Sequence, residues 1–145
     1  MNTIKSNVVC KRFDHIDLIN YILNLYKIDG ITLNIFEGDK MLNMFSNDEL
    51  EMTAILTNMI PNTYALYVRK GSLSPDIICH EMIHLWQYHR GDLKMLNNGR
   101  QYLWKGRIYD SSTAYTDREW EIEAFGGMNK LLRKYKKQKR AERNN

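Results

Sequence analysis

The stretch from Ser74 to Gly91 constrains this 145-residue chain more than any other. Ser74-Pro75-Asp76 is a helix start: a hydroxyl to cap free N–H groups, a proline at the first helical position, and an acid in the first turn. Gly91 is well placed to end the same helix, so one helix is predicted to about Arg90. It carries His80-Glu81-Met82-Ile83-His84. Residues four apart on a helix lie one above the other on one face, so two imidazoles at that spacing can share one metal ion without distorting the backbone. Glu81 then stands beside the ion on the adjoining face, where it can take a proton from a water whose pKa zinc lowers to about 7. A purely structural pair of core histidines would leave the Glu81 carboxylate buried beside them for no reason. His80 and His84 are therefore the candidate zinc ligands, and Glu81 the candidate general base.

The remaining elements follow from periodicity and breakers. Asp14 can cap a first helix in which Ile16, Ile19, Ile22, Leu23 and Tyr26 recur at helical spacing, ended by Asp29-Gly30. Ile31, Leu33 and Ile35 alternate with polar residues and predict a strand; a second short strand is expected from about Lys40 to Phe45. Glu51 to Met59 fits strand or helix, Pro61-Asn62 breaks it, and Thr63 to Arg69 is a strand ended by Gly71. Arg100–Trp104 and Arg107–Tyr109 predict a hairpin around Lys105-Gly106. Thr116 to Glu119 matches a capping box for a last helix from Asp117 to about Arg140. Strands bunched between helices make an α+β layer fold: a small antiparallel or mixed sheet, an N-terminal helix, the HExxH helix and a long C-terminal helix.

The net charge of +4 is unevenly spread. Residues 130–145 hold eight bases and one acid, +7, whereas the other 129 hold 13 bases and 16 acids, −3. A basic helix end is ordinarily a solvated face that suits the negative end of the dipole. A weak nucleic-acid contact is the sharper expectation for this tail. No apolar stretch approaches the length of a membrane span, and the N-terminus lacks the apolar run of a signal peptide. Two cysteines, Cys10 and Cys79, do not make a disulfide framework. The expected setting is the cytoplasm of a bacterium or phage-infected cell, or a virion assembled there; abundant Asn, Ile and Lys fit such an AT-rich genome.

A catalytic zinc needs a third protein ligand and keeps one position for water. A third histidine six residues past His84 is excluded, because that position is Arg90 and Gln87 stands where a glycine would be. His89 points away from the metal face of a regular helix, and His15 lies in the first helix. A carboxylate from the last helix is expected, among Glu119, Glu121 and Glu123. Glu119 and Glu123 are four apart and share a face; Glu121 lies away from them. A donor for the developing oxyanion is expected among Tyr109, Tyr115, Arg107 and Arg118, with Tyr109 preferred. Trp86, Trp104, Trp120 and Cys79 are expected in the core.

HEMIHLWQ, followed some forty residues later by REWEIEAF, resembles the gluzincin class of zincin metallopeptidases, nearest to small SprT-like and phage-encoded zincin-like proteins and, in size, to minigluzincins. The resemblance covers about Ser74 to Gly127. In gluzincins the third ligand is a Glu on a later helix, often followed by Ala; Glu123-Ala124 matches. The resemblance thus implies a zincin-like metallopeptidase domain over 1–130 with a basic tail over 131–145. It implies zinc on His80, His84 and Glu123, and a peptide or protein substrate, extended along the edge of the Tyr64–Arg69 strand. Thermolysin-type gluzincins place an Asp four residues after the ligand Glu to orient a histidine. Here that residue is Gly127, so such support must come from elsewhere.

Overall fold

Alternation over Thr32–Glu37 and Thr63–Val68 sets the frame of the molecule. In the computed structural model, which describes residues 1–45, 53–110 and 112–144, Leu33, Ile35, Tyr64, Leu66 and Val68 are buried on one face of a sheet while Thr32, Asn34, Thr63, Ala65 and Tyr67 lie on the other, less buried face. The elements are β1 (Thr3–Ser6), α1 (His15–Leu25), β2 (Thr32–Glu37), α2 (Asp39–Phe45), β3 (Ala54–Ile60), β4 (Thr63–Val68), α3 (Pro75–His89), β5 (Leu93–Leu96), β6 (Gln101–Trp104), β7 (Arg107–Asp110) and α4 (Glu119–Arg143). The first sheet has the order β1-β2-β4-β3. β1, β2 and β4 run parallel, and β3 returns antiparallel along β4 through the Pro61-Asn62 turn. β5-β6-β7 form a separate antiparallel sheet. The protein is thus α+β with a mixed sheet and a long C-terminal helix.

One core joins these layers. Leu18, Ile19, Ile22 and Leu23 of α1 and Ile78, Met82, Ile83 and Leu85 of α3 pack with the buried face of β2 and β4. Each such side chain contributes about 1.5–3 kcal/mol on leaving water, so packing rather than capping decides where these helices sit. The caps fix where they begin: Asp14 accepts from the Asp17 N–H at 3.0 Å and Ser74 from the Ile77 N–H at 3.2 Å. α4 lies along α3, and Gly127 permits it: a Cβ there would stand 3.1 Å from Ile83 Cδ1. No helix among the described residues is long and apolar enough to cross a membrane.

Several expectations are corrected. Residues 40–45 form the helix α2, not a strand; the turn closes on itself, with the Leu42 N–H donating to Gly38 C=O at 3.1 Å, and Asp39 anchors it by accepting from the Lys70 N–H at 3.0 Å. The ambiguous stretch is a strand from Ala54, its first residues, 51 and 52, lying outside the described ones. α4 starts at Glu119, after a short 3-10 turn over Tyr115–Asp117, with Arg118 as cap residue and no capping side chain. The capping box is therefore not formed. β1 and β5, four residues each, were not expected. β4 lies inside the sheet between β2 and β3, so it has no free edge for a peptide; among the described residues the outer edge on that side belongs to β3.

Candidate metal centre

α3 turns one polar face into the interior. His80, Glu81 and His84 are each 7–8% exposed, and the two imidazoles meet edge to face with their Nε2 atoms 3.2 Å apart. The third member comes from α4, and it is Glu121, 6% exposed. Its Oε1 lies 3.4 Å from His80 Nε2 and also in contact with His84 Nε2. Among the described residues, His80, His84 and Glu121 form the group whose ligand atoms all lie within 4.8 Å of one another. Oε1 is buried and faces both nitrogens without a hydrogen bond to either. A tetrahedral zinc with bonds of about 2.0–2.1 Å sets its ligand atoms roughly 3.3 Å apart, close to two of these spacings. Two imidazoles and a carboxylate, with an orphaned oxygen pointed at both rings, fit such an ion.

Glu123, the expected third ligand, is elsewhere. Its Oε1 accepts from Arg90 Nη2 at 2.6 Å and from Gln87 Nε2 at 2.9 Å. Glu119 accepts from the Trp104 indole at 2.7 Å. The reason lies in the face α4 buries. Trp120, Glu121, Ala124 and Leu131 are buried, with Met128 and Tyr135 packed beside them. Glu121 stands three before Ala124 and seven before Met128, on the apolar stripe that meets α3, whereas Glu119 and Glu123 flank it. A carboxylate on the core stripe of an otherwise polar helix was the signal that would have found it.

Electrostatics sharpen the roles. Burial pushes the Glu81 carboxyl above its usual range; the two imidazoles and the Leu56 backbone N–H pull the other way. That N–H places β3 directly beside Glu81. Burial likewise opposes the charge on Glu121, but the close imidazoles and the Tyr115 hydroxyl outweigh it and hold the carboxyl well below its usual range. Burial and then Glu121 raise the Tyr115 phenol. Phe125 covers His80, with ring centroids 4.5 Å apart, and Tyr115 meets Phe125 edge to face at 5.9 Å.

Tyr109, the preferred oxyanion donor, is instead wedged against Trp120 at 5.3 Å with Arg107 over its ring. Tyr115 is the tyrosine whose hydroxyl bonds Glu121. Arg118 donates to the Thr113 carbonyl and lies over Tyr115. His15 bonds Ser6 at 2.9 Å, and His89 is exposed. Trp104 and Trp120 are core residues; Trp86 is half-buried, stacked on Tyr26. Cys79 is wholly buried, its thiol pushed up to about 12 by desolvation. Comparison of the chain with protein-family models, curated proteins and solved structures finds no match.

Proposed function

We propose that this protein is a zinc-dependent peptidase of zincin-like build, with His80, His84 and Glu121 holding the metal. The observation that carries this reading is the convergence of two Nε2 atoms and a buried, unbonded carboxylate oxygen beside a second buried carboxylate, Glu81. Zinc, when bound, would acidify a water and polarise a peptide carbonyl. Glu81 would take a proton from the water that attacks the carbonyl carbon and return it to the leaving amine nitrogen as the C–N bond breaks. Its burial suits both halves, since a raised pKa lets it keep the proton between transfers. Tyr115, whose hydroxyl bonds Glu121, is a phenol placed to donate to a developing oxyanion. β3, the outer strand on that side among the described residues, offers the edge on which an extended peptide adds. Two unpaired cysteines suit a reducing bacterial or phage-infected cytoplasm.

Zinc stoichiometry combined with Glu81→Gln tests this. One zinc per chain is expected in both proteins, with peptide cleavage by wild type falling about 10²–10⁴-fold in the variant. Zinc bound by both with no cleavage by either would favour a structural or virion-associated metal protein. Absence of zinc from both would sink the reading.

A second observation favours a nucleic-acid contact. Among the described residues, Lys139 pairs with Asp17 and Glu142, while seven other bases of α4 from Lys130 onward make no ion pair. Lys130, Arg133, Lys134, Lys137 and Arg140 are exposed on one face, spanning about 15 Å of helix. Binding to DNA or RNA is expected to weaken steeply with salt and to vanish when residues 134–145 are removed. Equal binding by the shortened chain would contradict it.

A further inference from the structure

His84 is gripped from behind by a side chain with no exposure at all. Gln87 Oε1 lies 2.7 Å from His84 Nδ1, and Gln87 is 0% exposed. An amide can present either end, so the partners of its far end decide which faces the ring. Gln87 Nε2 donates to the Trp120 carbonyl at 2.9 Å and to Glu123 Oε1 at 2.9 Å. A carbonyl and a carboxylate only accept, so the amide nitrogen must lie there and the oxygen must face His84. That oxygen accepts, so Nδ1 carries a hydrogen, and Nε2 is the nitrogen left to face Glu121 and His80 and, once free of its own proton, to bind a metal. Glu123 is held in turn by Arg90, at 2.6 Å, whose Nε is tied to Asp92 at 2.6 Å and whose guanidinium lies 4.0 Å over the Trp86 ring.

We propose that Gln87 and Glu123 are positioning residues that lock the imidazole of His84 in the Nδ1–H form. Gln87 acts on His84 directly. Glu123 acts through Gln87, and Arg90 through Glu123. This rests on the proposed metal site and supplies the support that Gly127 cannot. It also gives a role to the acceptor that Glu123 presents two residues from the proposed ligand on α4. A role confined to joining α3 to α4 would be indifferent to which end of Gln87 faces the ring.

The test uses the full chain with histidine rings labelled by nitrogen-15. In metal-free wild type, NMR is expected to show a His84 Nδ1–H that exchanges slowly with water. Gln87→Leu should speed that exchange and weaken zinc binding about 10–100-fold, measured by chelator competition. Glu123→Gln keeps an acceptor for Gln87 and is expected to stay within about threefold of wild type, whereas Glu123→Leu should follow Gln87→Leu. The Glu123 pair carries the test if Gln87→Leu does not fold. A bare Nδ1 in wild type overturns the proposal, as does Glu123→Leu matching wild type in both exchange and affinity. A protected Nδ1–H in a protein that takes no zinc upholds the lock and refutes the metal site instead.

Discussion

His84 concentrates the chemistry of the site in one ring. Burial works against its imidazolium, but Glu121, Glu81 and the Gln87 acceptor outweigh it and raise its pKa from 6.5 to about 9. With that shift the metal-free protein is expected to carry a proton on His84 Nε2 below about pH 9, which zinc at the proposed site would have to displace. Apparent zinc affinity is expected to climb about tenfold per pH unit from 6.5 toward 9 and then to flatten as this proton is lost in solution. Calorimetry in buffers of different ionisation heat should show close to one proton released near neutral pH. A flat profile over that window would contradict the pairing of His84 with Glu121. At this scale the sequence was partly transparent. His80, Glu81 and His84 are legible because a four-residue spacing on a capped helix has one geometric meaning. The choice of Glu121 over Glu123 is not a matter of spacing to the motif. It depends on the rotation of α4 about its axis, which is set by Trp120, Ala124 and Leu131 settling against α3.

Several elements announced by caps and breakers lie close to the bounds these predict, although α1 ends at Leu25, ahead of Asp29-Gly30, and α4 starts without its capping box. Ser74 and Gly91 bracket α3, Asp14 starts α1, and Lys105-Gly106 turns the β6–β7 hairpin with both residues at positive φ. Short elements without such marks were not so legible. The four residues of β1 carry one half-buried side chain, Ile4, and become a strand through pairing with β2, a contact 29 residues away. In α2 the seven residues DKMLNMF alternate loosely and bury Leu42 completely; tertiary contact with β4 decides the outcome. The two glycines of α4 allow a sharp comparison. A Cβ at Gly126 would have nothing within 4 Å, whereas one at Gly127 would meet Ile83 Cδ1 at 3.1 Å. Gly126→Ala is expected to stabilise the fold by about 0.5–1 kcal/mol through helix propensity alone. Gly127→Ala should gain the same propensity but lose much of it to the contact, and it should perturb zinc binding by shifting α4 against α3. Denaturant unfolding checks both; equal gains would mean that the close approach at Ile83 does not constrain α4.

Across the whole molecule the site is a meeting of three layers. α3 supplies two imidazoles and the Glu81 carboxylate, α4 supplies the Glu121 carboxylate, and β3 brings the Leu56 N–H to Glu81. Each layer is held by ordinary apolar packing, which brings four buried polar side chains to one place. α4 then continues past the site as one helix to Arg143, pinned on α1 by Tyr135 and Lys139, both on Asp17. The basic residues thus belong to the helix that carries Glu121, as a last helix read to about Arg140 implies, and that helix runs on to Arg143. The class of fold was legible because strands and helices alternate in blocks; the sheet order was not, since β2 pairs with β4 across an intervening helix and strand. The central claim is that His80, His84 and Glu121 together form one metal centre. An anomalous difference map at the zinc edge, from crystals of the zinc-loaded full chain, tests it most directly. The expected result is one strong peak bounded by His80 Nε2, His84 Nε2 and Glu121 Oε1, with Glu123 still on Gln87 and Arg90. A peak elsewhere, or one that draws Glu119 or Glu123 into contact in place of Glu121, would contradict it.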